Sequence, residues 1–252
     1  MGDIVVATLG GVSSEDITGL VITGVTRQIT PTIRDTYLDV PGRAGSWYFA
    51  EAPGDRELTL EVAITAASFA DRRAAVRKLG RWLYSNEQRE LVLDDEPGRY
   101  ELAQLAGAPE LAELVEIGRG SVTFRVGPFA ISETLDEAAD TLTAGGDSTV
   151  ITVTPTDDLA DTIPPIITIE PTGPLTGFTL GIGGDELVYD GAIAGSDVVV
   201  ITTETLSVTL NAEPALTNVA GVFGSLVSGA NTLTWDSDGA AVITAEWRAR
   251  FI

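Results

Sequence analysis

Glu57-Leu58-Thr59-Leu60-Glu61-Val62-Ala63-Ile64 alternates polar and apolar side chains, and this stretch decides how the first half of the chain folds. Successive side chains of a strand point to opposite faces, so a period of two gives a half-buried strand. A few residues later the period changes. From Ser68 to Tyr84, Ala75, Val76, Leu79, Trp82 and Leu83 recur on one helical stripe, while Arg72, Arg73, Arg77, Lys78 and Arg81 fall largely off it. Ser68, with Asp71 three residues on, makes an approximate capping box. The spacing predicts one amphipathic helix over about 68–84 that covers one face of a sheet.

Outward from this pair the chain is β-rich. Ile17 to Val25 reads as strand, as do Glu90-Leu91-Val92-Leu93, Tyr100 to Leu105 and parts of Leu111 to Val126, with a turn over Asp94 to Tyr100. Beyond residue 132 no helical pattern occurs. Short runs such as Val150–Thr154, Ile166–Glu170, Gly177–Gly181, Val198–Thr202 and Leu206–Leu210 are rich in Val, Ile and Thr and are separated by Gly, Pro and Asp. Regular short strands with frequent turn signals predict a β-sandwich. Ala241 to Phe251 reads as an alternating final strand.

Charge divides the chain too. The 252 residues carry 15 basic and 37 acidic side chains, a net charge of −22. Residues 1–132 hold 13 basic and 19 acidic groups, whereas residues 133–252 hold 2 and 18. We therefore expect two domains, 1–132 and 133–252, with Thr143 to Ser148 as a turn or joint near the boundary. The acidity argues against nucleic acid and anionic membranes as binding targets, since both select a basic footprint. Neither histidine nor cysteine is present. That removes the usual general base, the thiolate nucleophile and the commonest transition-metal ligands. The opening Met1-Gly2-Asp3-Ile4 lacks the basic region of a secretory signal, and the charge-free stretch Pro214 to Trp235 is too polar for a membrane span.

Candidate sites are few. Gly181-Ile182-Gly183-Gly184 lacks the helix and Lys-Ser/Thr of a phosphate loop and reads as a hairpin turn. Asp236-Ser237-Asp238-Gly239 opens like a calcium loop, but its twelfth position is Trp247, and Asp238-Gly239 is better read as a hairpin turn. Asp157 to Asp161 reads as a solvated acidic loop rather than a calcium site. Asp94, Asp95 and Glu96 could supply the carboxylate pair of a glycoside hydrolase, but neighbours on a turn point apart. Tyr189 and Trp235, with Phe178, Phe223 and Trp247, could form a sugar-stacking platform or could simply fill a core.

Asp39 to Asp55 stands out. Its two Pro-Gly pairs bracket Trp47, Tyr48 and Phe49. Three consecutive aromatics in an extended segment cannot all face one core. A projecting loop with exposed aromatics and Arg43 has the composition of a protein–protein anchor; the alternative is a hairpin lying on its own domain.

The order of these pieces resembles a known family. Asp39-Val40-Pro41-Gly42-Arg43-Ala44-Gly45, the helix ending in Leu79, Trp82 and Leu83, Leu93-Asp94-Asp95-Glu96-Pro97-Gly98-Arg99-Tyr100, and the terminal Arg248-Ala249-Arg250-Phe251 are similar to distal tail (Dit) proteins of long-tailed siphophages. The resemblance implies a mainly β protein. Its N-terminal domain would be a tail-tube-like β-sandwich with one helix and a long belt hairpin, about 39–57, that embraces the neighbouring subunit. Its C-terminal domain would be a galectin-like β-sandwich facing outward. It further implies a homo-hexameric ring at the virion tail tip, assembled in the host cytoplasm and without enzymatic activity or cofactor. The ring would contact the tail tube, the tape measure protein and a tail-associated lysin, fibre or receptor-binding protein. Interface residues would be Arg43, Trp47, Tyr48 and Phe49. DNA must pass the lumen without adhering, so we expect an acidic lumen wall; its repulsion of phosphate acts within roughly 8 Å at physiological salt. The alternative is a carbohydrate-binding module using Tyr189 and Trp235.

Overall fold

The computed structural model describes residues 4–107, 118–154 and 162–252; of the belt segment, the side chains of residues 49–52 lie outside the description. Within-chain contacts divide it into two units, between Ile131 and Ser132.

The first unit contains β1 (Ala7–Leu9), β2 (Val12–Ser13), β3 (Leu20–Arg27), β4 (Ile33–Asp39), β5 (Ser46–Pro53), β6 (Arg56–Ile64), α1 (Phe69–Leu83), β7 (Arg89–Leu93), β8 (Arg99–Leu105) and β9 (Arg119–Val126), with β10 (Ala130–Ser132) at the division. Its main sheet runs β2-β1-β7-β8-β9-β6-β3, antiparallel at every described pairing. β6 is central. Its Leu58, Leu60, Val62 and Ile64 all face inward, and Leu58 and Leu60 lie opposite Phe124 and Val122 of β9. The helix covers this core with Ala75, Val76, Leu79, Trp82 and Leu83, the stripe its spacing predicts. The Ser68 hydroxyl accepts the Asp71 N–H at 3.1 Å and donates to the Asp71 carboxylate at 2.6 Å. The cap thus differs in one bond from a capping box, in which the acid would accept the backbone N–H of the cap residue. At the other end Arg89 donates to the carbonyls of Trp82 and Leu83, which satisfies helix carbonyls left without an intrahelical donor. Trp82 Nε1 donates to Val12 O at 2.9 Å and pins α1 to the first hairpin.

The second unit contains β11 (Asp136–Leu142), β12 (Asp147–Val153), β13 (Ile166–Pro171), β14 (Leu175–Ile182), β15 (Asp185–Ile193), β16 (Val199–Thr202), β17 (Ser207–Leu210), β18 (Glu213–Pro214), β19 (Val219–Gly221), β20 (Gly229–Ser237), β21 (Ala241–Trp247) and β22 (Arg250–Phe251). Two antiparallel sheets, β11-β21-β13-β16-β17-β18 and β12-β20-β14-β15-β19, make a β-sandwich. Thr143 to Gly146 is a turn inside this unit that carries the chain from one sheet to the other. Gly183 and Gly184, both at positive φ, form the tight turn between β14 and β15, a conformation that glycine adopts without steric cost. Asp238-Gly239 corrects its sequence reading: β20 and β21 belong to opposite sheets, so the turn is a sheet-to-sheet crossover rather than a hairpin. Asp238 ties that crossover to β14 by accepting the Thr176 N–H at 3.1 Å and its hydroxyl at 2.8 Å. Asp157 to Asp161 and Leu111 to Ile117 fall outside the described residues.

Candidate functional site

β4 and β5 form a two-stranded sheet of their own, separate from the main sheet of the first unit. The hairpin begins at Ile33, well before the Asp39 expected from sequence, and the first Pro-Gly pair lies in its turn rather than at its base. Every residue of β4 is exposed. A two-stranded hairpin is marginal by itself, so this one draws on local contacts at both ends. At the tip Arg43 N–H bonds Val40 O at 3.1 Å, and the Ser46 hydroxyl donates to Asp39 at 2.6 Å. The Arg43 guanidinium carbon lies 4.5 Å from the Trp47 ring centroid, a cation–π contact. At the base Gly54 N–H bonds Thr32 O at 2.6 Å, and the Thr32 hydroxyl donates to Asp55 O at 3.0 Å.

The pairing register decides what each face presents. Tyr37 lies opposite Tyr48 and Leu38 opposite Trp47, with a bulge between Thr36 and Tyr37 at which the Phe49 backbone is the extra residue. Tyr37 and Tyr48 share one face, their ring centroids 5.4 Å apart; Leu38 and Trp47 occupy the other. Tyr37 is 60 %, Trp47 53 % and Tyr48 43 % exposed. Aromatics are therefore open to solvent on both sides of a thin ribbon. The Phe49 side chain lies outside the described residues.

Below the hairpin is a polar cleft of about 340 Å³ lined in part by Arg34, Arg56 and Arg125. Arg56, the first residue of β6, turns inward and is 6 % exposed. Its Nη2 lies 2.7 and 2.8 Å from the two Glu101 carboxylate oxygens, and its Nε donates to Gly127 O at 3.2 Å. Burial pushes the Glu101 carboxyl above its ordinary value, with the Arg56 charge pulling the other way. Sequence reading missed this pair. Its signal was parity: Arg56 lies in phase with Leu58, Leu60 and Val62 on the inward face.

The other sequence candidates are placed as follows. Trp235 and Tyr189 are 0 % and 1 % exposed. They flank Phe178 in one stack, with centroids 5.0 and 5.3 Å away, in the sandwich core. Neither offers an open ring face to a sugar, which corrects the stacking-platform reading; both share strand parity with buried Leu187 and Leu233. The Asp94, Asp95 and Glu96 carboxylates do not converge on a cleft as a hydrolase pair. Asp94 accepts the Val6 N–H at 2.8 Å, and Asp95 is held bidentately by Arg27 at 2.6 and 2.8 Å. Among the described residues no cluster of three metal-ligating side chains occurs. Of the basic helix residues, Arg73, Arg77, Lys78 and Arg81 are exposed and Arg72 is half-buried.

The chain is thus mainly β, in two units, with one exposed aromatic hairpin standing apart from the main sheet of the first unit. A family model described as "Phage tail protein RIFT-related domain" matches residues 15–126, and one described as "Siphovirus-type tail component, C-terminal domain" matches residues 160–251. The chain belongs to the distal tail protein (Dit) family of siphophages. Among solved structures, the Dit protein of phage SPP1, described as a paradigm of the hub adsorption apparatus in phages that infect Gram-positive hosts, superposes with a TM-score of 0.72 at 14 % identity. That match covers 98 % of this chain and 99 % of that one. A chain of the phage P2 baseplate in its activated conformation with calcium aligns with a TM-score of 0.42 at 9 % identity, over 93 % of this chain and 91 % of that one, too weak a likeness to carry weight. A comparison with curated proteins returned no significant match.

Proposed function

We propose that the chain forms a closed ring of identical subunits, six by resemblance to its family, at the distal end of the tail. The ring joins the tail tube and tape measure protein to the receptor-binding tip and lets DNA pass through an acidic lumen. Residues 1–132 build the ring and residues 133–252 face outward as a galectin-like domain. The role is structural, with no catalysis, and its place is the virion tail tip after assembly in the host cytoplasm. The observation that carries this reading is the β4–β5 hairpin, exposed and aromatic on both faces. A monomer gains nothing from such a ribbon, whereas a neighbour can bury it. Arg43, Trp47 and Tyr48 would be its anchors, with Phe49 added from sequence.

The test replaces Trp47, Tyr48 and Phe49 with Ser and measures mass by light scattering, alone and with tail-tube protein. Six copies of the 26.4 kDa chain give roughly 160 kDa for the native ring. The variant should stay near the mass of one chain while keeping the native circular dichroism. A native chain that remains single beside its tube protein, or a variant that still assembles, overturns the reading.

A further inference from the structure

α1 carries a cationic surface in a strongly acidic chain. Arg73, Arg77, Lys78 and Arg81 are exposed on the side away from Ala75, Leu79 and Trp82, and none of the four makes an ion pair among the described residues. The surface is not purely polar. Phe69 and Tyr84 at its two ends are 59 % and 74 % exposed, and the Arg73 guanidinium lies 5.8 Å from the Phe69 ring centroid. At 1.5 Å per residue, Arg73 and Arg81 are about 12 Å apart with Arg77 midway.

One face of the hairpin is the complement in sign and spacing. By alternation Ile33, Asp35, Tyr37 and Asp39 of β4 share a side, with Tyr48 beside Tyr37. Four residues of strand place the Asp35 and Asp39 carbons about 13 Å apart, with Tyr37 between them. The two acids thus have nearly the spacing of Arg73 and Arg81, while the aromatics lie between the acids on the hairpin and at the two ends of α1. Both faces are exposed in one chain, so a copy does not satisfy itself. A heterologous closing ring needs two different, complementary patches on each subunit.

We propose that the Arg73–Arg77–Lys78–Arg81 face of α1 is the dock for the Ile33–Asp35–Tyr37–Asp39 face of the hairpin from a second copy of this chain. The proposal rests on the ring reading above and names the surface that receives the hairpin.

The experiment is a charge swap in the full chain: Asp35→Lys with Asp39→Lys, Arg73→Glu with Arg81→Glu, and all four together. Association is followed by sedimentation with the tail-tube protein present. All four sites are solvent-exposed, and circular dichroism checks folding; the neutral set Asp35→Asn, Asp39→Asn, Arg73→Gln and Arg81→Gln serves as a milder second series. Each charge-reversed pair should weaken association by about tenfold or more, because like charges then face each other, and the fourfold variant should recover most of the loss. The proposal is overturned if the helix variants assemble as the native chain does, if the fourfold variant is no better than either pair, or if the helix variants lose only the tube protein. In each of these cases the Trp47, Tyr48 and Phe49 test still stands on its own. A native chain that never assembles overturns both.

Discussion

Breaking the Arg56–Glu101 pair should cost far more than deleting it whole. At 2.7 Å and an effective dielectric near 20, the attraction is about 6 kcal/mol. Withdrawing each ion from water costs several kcal/mol, so the intact pair contributes little net stability. A single replacement removes the attraction and leaves the other charge buried. Arg56→Met strips Glu101 of its counter-ion and Gly127 O of its donor; Glu101→Leu strands the guanidinium. Each should lose about 3–5 kcal/mol, whereas Arg56→Met with Glu101→Leu should lie within about 1 kcal/mol of the native chain or exceed it. Hydrogen exchange at β6 and β9 amides during urea titration reads the first unit specifically. Single variants costing under about 1 kcal/mol, or a double variant as costly as the sum, would refute the reasoning.

Gly19 sits at φ +83°, and an added Cβ would lie 2.2 Å from Thr65 O, so Gly19→Ala should lower the urea midpoint of the first unit by the equivalent of about 1–3 kcal/mol. Trp235→Ala should destabilise the sandwich by about 3–5 kcal/mol, because it removes a fully buried end of the aromatic stack, and saccharides should leave the native tryptophan fluorescence unchanged; a neutral substitution or saccharide quenching would restore the sugar-binding alternative. Asp238 is held below its ordinary value by the Thr176 N–H and then the Thr176 hydroxyl. A depressed carboxyl adds stability that is present above the unfolded value of about 4 and is lost as pH falls through the folded one. Asp238→Asn should therefore lose stability at neutral pH and converge with the native chain in acid titrations followed by circular dichroism; a pH-independent difference would refute the assignment.

Periodicity in the sequence reports burial on one side, and that explains what was legible. β6 and α1 each bury one face, so their periods of 2 and 3.6 were readable and their inward residues correct. β4 buries neither face. Ile33-Arg34-Asp35-Thr36-Tyr37-Leu38-Asp39 consequently shows no apolar alternation, and the expected belt began at Asp39, six positions late. Its tip was misplaced for the same reason: Pro41-Gly42 opened the expected segment, whereas Gly42 and Gly45, both at positive φ, belong to the turn between the strands. Arg56 and Glu101 are 45 positions apart, and only the strand order β8-β9-β6 brings them together. The Asp238-Gly239 turn was local and visible, but which sheet receives the next strand is a long-range choice that local residues do not encode.

The charge distribution poses a physical problem that the hairpin and helix together can solve. Subunits of net charge −22 repel, and the second unit adds little to offset this. Its two cations are already engaged: Arg248 donates to the Ser132 and Glu133 carbonyls, and Arg250 pairs with Glu204. In the proposed ring, electrostatic attraction between copies would therefore come from the first unit, where the remaining 13 cations lie. Several of those are spent internally, on Asp95, Glu101 and Asp55. The exposed cations of α1 are what is left in one place. Screening makes the arrangement workable. At physiological salt, repulsion between acidic surfaces fades beyond roughly 8 Å, while ion pairs in direct contact and partly desolvated are screened much less. The same acidity has a second use. A thin ribbon with aromatics on both faces and open edges is an aggregation hazard, and strong net charge keeps free chains apart. Two aspartates among the hairpin aromatics would favour a cationic partner over another acidic surface, which in the proposed ring turns general stickiness into a contact with one specified neighbour.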